Sequence, residues 1–518
     1  MINVTLSNST NEHMIETESL SLKTLLAVTI LLIYIVSGKI FQKFNFHIIH
    51  ESGLCMILGM LVSGIAYYFS PYTNFSTSLR FDDAIFFTFI LPPIIFSAGY
   101  NMHCKNFFKY FHYAIIFGIF GTFITFSLTA GITYIFNFIY IFGGAFTTKD
   151  ILFFSSVISA TDTVSPLAFI SQKEQNKLFE VLFGEGIMND SLSIVMYQII
   201  TRFYNVFTST QMIAYFVFLF FSSCLLGIIV GFACSLFLKS MKSFKLQRFQ
   251  EIAIIIIFAF ISYTTAEILD LSAIIALLFC SIALSNYAFY NLSFQAREES
   301  CIVAQILSSM AEAFVFTYLG LSFFTMAQTN YSLTFVVIEF FTITFARCAT
   351  VYFLTGITNL CSSHPFTATE KKVISVAGCI RGAIAFGLAL SFETGDVEKN
   401  TILLSTTLIL VFVTTIVFGA WTPIISQRLI KENSNVKSAE SYYLLDGEEN
   451  EKLIEVKYEH PNNMSQSREE SGDGLTGLSK LWFELDSGIL KPFLVHDWEN
   501  CIKEHIELTK KIKNTLNE

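Results

Sequence analysis

The sequence predicts an all-α polytopic membrane protein, because the chain is strongly apolar, contains many long apolar segments, and places breaks and charges inside two of them. Of its 518 residues, 53% are hydrophobic and 14% are charged, and the mean hydropathy is +0.58. Soluble domains carry roughly 25% charged residues. The composition therefore excludes an ordinary soluble enzyme or nucleic-acid-binding protein and indicates a chain that lies mostly in lipid.

Apolar segments recur from residue 22 to residue 428, and each can cross about 30 Å of hydrocarbon directly or with tilt. Backbone groups in lipid must bond to one another, so these segments are predicted to be helices. The thirteen predicted spans are 22–40, 52–69, 83–98, 113–137, 151–170, 179–201, 212–238, 250–268, 271–288, 301–325, 332–357, 371–393 and 400–428. This divides the chain into an N-terminal segment 1–21, a transmembrane domain 22–430 and a tail 431–518.

The basic residues predict the orientation of the spans. Loops on the C-terminal side carry fifteen Lys and Arg residues, and loops on the other side carry five. Because cytosolic loops are enriched in these residues, the C-terminus is predicted to be cytosolic and the N-terminus lumenal or extracellular. Four glycosylation sequons fall on the outer side, which favours a glycoprotein, and two fall on the cytosolic side: Asn3, Asn8, Asn74 and Asn330, then Asn291 and Asn463.

The tail is acidic, with 18 acids against 10 bases over 432–518. Two apolar clusters interrupt it, at Leu481–Phe483 and Leu490–Phe493. They indicate either one amphipathic piece that docks on a surface, such as that of a cytosolic regulator, or scattered apolar residues in an exposed tail.

Spans 1–6 and 8–13 can be written as two six-helix units of opposite orientation, which is the pattern of an inverted repeat. Two spans are predicted to be broken and to cross, namely span 5 and span 12. In span 5, Pro166 lacks an amide hydrogen and clashes with the carbonyl of Asp162. In span 12, Arg381 stands between Gly378 and Gly382. These charges can balance the partial charges at the ends of broken helices.

Three acids lie within 29 residues inside this apolar region: Asp162, Glu185 and Asp190. A carboxylate at that depth costs several kcal/mol unless it faces water, an ion or a partner charge, so the cluster predicts a site for cations or protons. We expect Asp190 to be the exchanging carboxyl group, since a partly dry cavity favours its protonated form. Asp162, Thr161 and freed carbonyls supply oxygen ligands for Na⁺ or K⁺, and Asn189 adds an amide.

The remaining intramembrane charges receive structural or pathway interpretations. Glu185 is expected to pair with Arg347, with Arg381 as the second choice of partner, in an ion pair that fixes geometry. Glu267 and Glu312 are expected to be buried, either along a water-filled pathway or in the scaffold. Glu339 is expected at a membrane interface.

Five segments resemble signature motifs of eukaryotic sodium/proton exchangers, within the monovalent cation:proton antiporter superfamily: Leu91–Tyr100, Ser159–Asp162, Phe183–Asp190, Ala266–Ser272 and Arg381–Ala385. The resemblance extends in order over 22–430 and is greatest to the vacuolar and endosomal branch. It implies a homodimer with a dimerisation unit and a moving core unit. It assigns exchange to Asp190 with support from Asp162 and Asn189, and pairs Glu185 with Arg347. It also implies amiloride-type inhibition and an endomembrane location rather than the plasma membrane.

Two departures from the family pattern bear on ion preference. Thr163 stands where a proline is common, and Ser97 stands where some relatives carry an acid. Ser97 is therefore a candidate pathway residue.

The sequence thus predicts a secondary active transporter, rather than an enzyme, that exchanges Na⁺ or K⁺ for H⁺ without net charge movement by alternating access. Its expected partners are these ions, membrane lipids and a second copy of the chain, with no cofactor. Two other classes stay open: an intramembrane aspartyl protease using Asp162 and Asp190, and a cation channel. The first lacks the Gly-x-Gly-Asp turn of that class, and the second lacks an evident filter sequence.

Overall fold

A computed structural model of the chain describes residues 29, 32, 33, 36, 51–69, 86–102, 112–139, 141–142, 146–162, 164–167, 170, 176–204, 209–244, 246–326, 331–361, 365–392, 396–440 and 486–496. The regular elements of this part of the chain are all helical, so the all-α prediction is confirmed. Besides the one-turn helix Phe289–Asn291, the α-helices are α1 Glu51–Phe69, α2 Leu91–Tyr100, α3 Gly121–Phe138, α4 Thr148–Ser159, α5 Val164–Leu167, α6 Asn176–Phe203, α7 Ser209–Met241, α8 Arg248–Ile268, α9 Ala273–Ala283, α10 Phe294–Met326, α11 Leu333–Cys361, α12 Ala368–Ala377, α13 Ala383–Leu390, α14 Val397–Glu440 and α15 Lys491–Leu494.

The helices follow the predicted spans. Every span from 52–69 onward overlaps one helical stretch or, for spans 5 and 12, a pair of short helices. In three of these stretches a π-helical segment adjoins α2, α3 or α9, namely Phe86–Ile90, Ile116–Phe120 and Leu284–Ala288. Seven helical stretches of the described chain are long and apolar enough to cross a membrane. The first span, 22–40, is described at only four residues, all of them helical, so the count of thirteen stays a prediction.

The chain divides into two compact units. The first comprises Met1–Ile94, Tyr113–Phe216 and Ser308–Leu429, and the second comprises Ile95–His112, Val217–Leu307 and Ile430–Glu518.

In the first unit, α4 packs against α3 and α6, and α11 packs against α3. An aromatic cluster joins α11 to α4 and the segment before it. The ring of Phe335 lies 4.9 Å from that of Phe146 and 5.1 Å from that of Phe154. These three rings are buried, so they contribute apolar packing that holds the helices of the site side by side.

In the second unit, α8 and α9 form an antiparallel pair that packs on α7. Asp270 makes the turn between α8 and α9 with a φ of 54°, a conformation that Asp tolerates better than most residues. The backbone N–H of Ser272 then donates to the hydroxyl of Ser223 on α7 over 2.9 Å. On α7, Phe221 and Leu225 are exposed apolar residues one helical turn apart, which suits a surface facing lipid.

Part of the acidic tail packs on the second unit. Leu494 is 1% exposed and lies in an apolar cluster with Tyr287 on the C-terminal extension of α9. The side-chain amide of Asn291 donates to the carbonyl of Leu494 over 2.9 Å, and its oxygen accepts from the backbone N–H of His496 over 2.8 Å. The amphipathic piece around 490–493 is therefore docked on the protein itself. The cluster Leu481–Phe483 lies outside the described residues.

Candidate functional site

The first predicted broken helix is interrupted at the acid. Helix α4 ends at Ser159, and Ala160 has an extended backbone with a ψ of 131°. Thr161 and Asp162 are also non-helical, and α5 begins at Val164. A continuous helix would place the ring of Pro166 against the carbonyl of Asp162, which explains why the chain unwinds there.

The second broken helix crosses the first at its own interruption. Helix α12 ends at Ala377, and α13 begins at Ala383 after an extended Gly382. The backbone N–H of Asp162 donates to the backbone carbonyl of Ile380 over 2.9 Å. A Cβ atom on Gly382 would lie 2.8 Å from the Cβ of Asp162, so the crossing requires a residue without a side chain at this position.

Helix α6 supplies a third side of the site through Asn189, which is 3% exposed. Its amide nitrogen donates to the hydroxyl oxygen of Thr161 over 2.9 Å. Its amide oxygen accepts from the hydroxyl of Ser193 over 3.3 Å, and Ser193 also contacts the hydroxyl of Ser159 at 3.0 Å. Both ends of the Asn189 side chain are thus engaged, and they fix the unwound segment of the first broken helix against α6.

Three carboxyl groups belong to this part of the first unit. Asp162 interacts electrostatically with Asp190, the residue after Asn189, and with Glu312 on α10. Asp162 is buried, and Asp190 is half-buried. The hydroxyl of Ser308 donates to Glu312 over 2.8 Å. Like charges that repel one another in a low-dielectric region favour binding of a proton or a cation.

A buried ion pair lies near these acids, and its two charged groups bind each other. Glu185 and Arg347 are 1% and 2% exposed and form the ion pair that the sequence predicts. Arg347 also donates from Nη2 to the carbonyl of Ile374 over 3.3 Å. Gly378 faces the guanidinium group so closely that a Cβ there would overlap it. The pair therefore ties α6 and α11 to the end of α12.

Arg381 is completely buried at the second interruption. Its Nη1 donates to the carbonyl of Gly378 over 2.8 Å, at the end of α12 where the helix dipole is negative. Its backbone N–H donates to the hydroxyl of Thr414 over 3.2 Å, and its carbonyl accepts from Thr415 over 3.0 Å. These two threonines of α14 were not among the predicted site residues, although adjacent hydroxyls in an apolar helix are a usable signal.

Two glutamates and a serine that the sequence singled out are not part of the crossing of the broken helices. Glu267 was expected to be buried, but it is exposed in the last turn of α8, in the second unit. The sequence around it is apolar up to the end of the helix, and this apolar run gave the impression of a buried position. Glu339 was expected at an interface, yet it is 0% exposed and contacts the hydroxyl of Thr133. Ser97 lies in the second unit, where the side-chain amide of Asn101 donates to its hydroxyl over 3.0 Å.

The chain matches one family model, described as "Sodium/hydrogen exchanger, transmembrane", over residues 23–428. Among the curated relatives is a Na⁺/H⁺ antiporter of Schizosaccharomyces pombe, itself named as uncharacterized. It is 33% identical over 417 residues, which is 76% of this chain and 72% of the relative. Sodium/hydrogen exchanger 4 of Arabidopsis thaliana is 32% identical over 79% of this chain and 80% of its own length.

Two further similarities point the same way. Sodium/hydrogen exchanger 8 of Rattus norvegicus is 29% identical over 86% of this chain and 80% of its own length. Among solved structures, the sodium proton antiporter MjNhaP1 of Methanocaldococcus jannaschii superposes with a TM-score of 0.62. That match has 17% sequence identity and covers 80% of this chain and 99% of the other. At this identity the match concerns the fold.

Proposed function

The chain belongs to the sodium/hydrogen exchanger family, so its function is Na⁺/H⁺ antiport across a membrane, and we propose that the carboxyl group of Asp190 carries the exchange. The observation that supports this assignment is the crossing of the two broken helices at Asp162. It collects Asp162, Thr161 and Asn189 next to Asp190 in one unit.

The mechanism is competition for one anionic site. Protonated Asp190 has no net charge to attract a cation, and a cation bound to ionised Asp190 excludes the proton. Carboxylate oxygens of Asp190 and Asp162 with the hydroxyl of Thr161 form a hard oxygen donor set, which suits Na⁺. Asn189 positions Thr161 by its hydrogen bond, and so acts on the ion through Thr161.

The arginines contribute geometry, and neither is a counter-ion for Asp190 in this scheme. Arg347 is paired with Glu185, and Arg381 is bonded to the end of α12. With both guanidinium groups engaged in these contacts, Asp190 keeps its negative charge for an incoming cation. Glu312 is the pathway acid of this proposal, because it interacts electrostatically with Asp162.

Exchange of one cation for one proton at a single carboxyl group moves no net charge. We propose electroneutral exchange by alternating access for this reason, since net charge movement would couple transport to voltage at about 2.3 kcal/mol per elementary charge per 100 mV. K⁺ has the same charge as Na⁺ and can bind to the same oxygen donors. The choice between Na⁺ and K⁺ depends on cavity size and ligand field, so both ions belong in the test.

The chain is an integral membrane protein, and we propose a homodimer in an endomembrane, with a lumenal N-terminus, a cytosolic C-terminus and no cofactor. The excess of basic residues in loops on the C-terminal side supports this orientation. The docked tail contacts Lys239 and Asn291, so it lies on the same side as these loops, which the basic residues assign to the cytosol. An epitope tag at Glu518 should bind antibody only after the cytosolic face is made accessible.

The deciding experiment uses purified protein in liposomes that contain a pH-sensitive dye. External Na⁺ should drive proton efflux in the wild type at a rate that an imposed membrane potential does not change. Asp190→Asn should lose this flux to the level of protein-free liposomes while it keeps its elution profile and melting temperature. Asp396→Asn is the matched control, because Asp396 is an exposed residue whose bond to the Glu398 N–H an Asn can also make. Wild-type flux in Asp190→Asn would refute the assignment, and a voltage-driven cation current would indicate a channel.

A further inference from the structure

A stripe of buried threonines runs along α3. Its members are spaced three or four residues apart and are at most 3% exposed: Thr122, Thr125, Thr129 and Thr133. This spacing puts all four on one face of the helix. Thr125 and Thr133 face α11, where they contact Thr350 and Glu339. The interface between α3 and α11 is therefore polar inside an otherwise apolar region.

Each hydroxyl group has one proton, and the contacts show where the protons are used. Thr129 donates to the carbonyl of Thr125 over 2.8 Å, and Thr133 donates to the carbonyl of Thr129 over 2.8 Å. On α11, Thr350 donates to the carbonyl of Ala346 over 2.8 Å and accepts from Thr125 over 3.2 Å. These threonine hydroxyls thus donate hydrogen bonds within their own helix or, for Thr125, to Thr350.

Glu339 is the carboxyl group that meets this stripe. Its Oε1 lies 2.8 Å from the hydroxyl oxygen of Thr133, whose proton is already directed at the carbonyl of Thr129. A single hydroxyl proton shared between the two oxygens gives each only part of a hydrogen bond, and a proton on Glu339 would complete both. The other oxygen, Oε2, is buried and has no hydrogen-bond partner in the described part of the chain. Burying an oxygen without a hydrogen-bond partner costs less free energy when it is the carbonyl oxygen of a neutral acid than when it belongs to a charged carboxylate.

The charged and titratable groups on the surrounding elements have other partners or lie at helix ends. Arg347, two turns along α11, is paired with Glu185, and Arg381 is bonded to the carbonyl of Gly378. On α4, Asp150 accepts from the backbone of Thr147, and Lys149 lies over the ring of Phe153. The remaining groups include the exposed Tyr134 on α3 and both Cys348 and Tyr352 on α11. Others lie in first helical turns: Glu370, Lys371 and Lys372 of α12, and Glu398 and Lys399 of α14.

We propose that Glu339 is a second proton-binding site of the protein, outside the cation site, and that it holds a resident proton in the folded state. This proton completes the hydrogen bond that fastens α11 to α3. It is not transported, since the scheme for exchange uses Asp190. The folded protein then binds a proton at Glu339 that the unfolded chain releases at neutral pH, so this contact stabilises the fold less as the pH rises.

The test is infrared spectroscopy of the purified protein. The wild-type-minus-Glu339→Gln difference spectrum at neutral pH should contain the carbonyl band of a protonated carboxylic acid, shifted in D₂O. The equivalent spectrum for Glu298→Gln, a half-exposed glutamate, should lack it. Glu339→Gln keeps a neutral donor for Thr133 and should melt near the wild type, with less loss of melting temperature at alkaline pH. Absence of the band, or a melting temperature as low as that of Glu339→Ala, would overturn the proposal.

A second variant keeps the test decisive if Glu339→Gln does not fold. Thr133→Val removes the acceptor and leaves Glu339 in place, so the band of the protonated acid should move. Thr125→Val removes a hydroxyl of the same stripe and should leave the band where it is. A band that Thr133→Val does not move would show that Glu339 donates no proton to Thr133, and would overturn the proposal.

Discussion

The backbone N–H of Asp162 donates to the backbone carbonyl of Ile380, and this 2.9 Å bond joins the two broken helices at their interruptions. Each helix loses its own hydrogen bonds where it unwinds, and each supplies a group that the other lacks. Backbone groups without such partners would be costly away from water. The unwound segments can therefore persist inside the fold and present oxygen atoms to an ion.

The crossing predicts that Gly382 tolerates no side chain. Gly382→Ala should lose most Na⁺/H⁺ exchange, because its Cβ would lie 2.8 Å from that of Asp162 and would push the two segments apart. Gly356→Ala is the matched control, since a Cβ there meets nothing within 4 Å. That change in a helix should be neutral or stabilising by about 0.5–1 kcal/mol. Flux assays in liposomes measure the first effect, and full activity in Gly382→Ala would disprove the close crossing.

The Glu185–Arg347 pair predicts a large effect on stability. Arg347→Ala should lower the free energy of unfolding by about 3–5 kcal/mol, because it leaves Glu185 charged and buried without its partner. The double variant Glu185→Leu with Arg347→Met should recover much of that loss. Thermal melting in detergent measures both. Arg248→Ala, which breaks the exposed pair with Glu299, should change stability by about 0–1 kcal/mol. A normal melting curve for Arg347→Ala contradicts this account of the pair.

Asn189 is predicted to act on the ion through Thr161. Asn189→Ala should raise the Na⁺ concentration for half-maximal flux about two- to thirteenfold, the equivalent of the roughly 0.5–1.5 kcal/mol of a hydrogen bond. Thr161→Val should act in the same direction. The double variant should show less than the sum of the two effects, since both remove one contact.

The control for this series is Ser191→Ala on the same helix. The Ser191 hydroxyl donates to the carbonyl of Ile187, so its loss should leave the Na⁺ dependence unchanged. Strictly additive effects of Asn189→Ala and Thr161→Val would mean that the two residues act independently.

The docked tail predicts a local change after Asn291→Ala. This variant removes two hydrogen bonds to residues 494 and 496, so the segment 486–496 should be cut faster in limited proteolysis. Ser240→Ala is the control, because the Ser240 hydroxyl donates only within its own helix, to Phe237. Equal cleavage rates in the two variants would show that Asn291 does not hold the tail.

The sequence was most informative where physics penalises a residue strongly. A proline in an apolar run and an arginine between glycines both mark positions where a helix cannot continue or where a charge needs a partner. These features predicted the interruptions at Asp162 and Arg381. The cost of a buried charge likewise identified Glu185 and Arg347 as a pair.

Other features depended on information that one sequence does not hold. The rotation of a helix about its axis decides which side is buried, and this rotation turned Glu339 inward. Glu267 was misplaced because hydropathy alone does not fix where an apolar helix leaves the hydrocarbon region. The close approaches of Gly378 to Arg347 and of Gly382 to Asp162 arise between segments distant in the chain. Such contacts follow from packing and have no local sequence signal.

The central claim is that a proton and Na⁺ compete for Asp190. The most direct test adds Na⁺ to the purified protein in weakly buffered detergent solution near neutral pH and measures the protons released. The wild type should release about one proton for each Na⁺ bound, as one carboxyl group requires when it binds either ion, and Asp190→Asn should release none. Na⁺ binding to the wild type without proton release, or equal release from Asp190→Asn, would contradict the account.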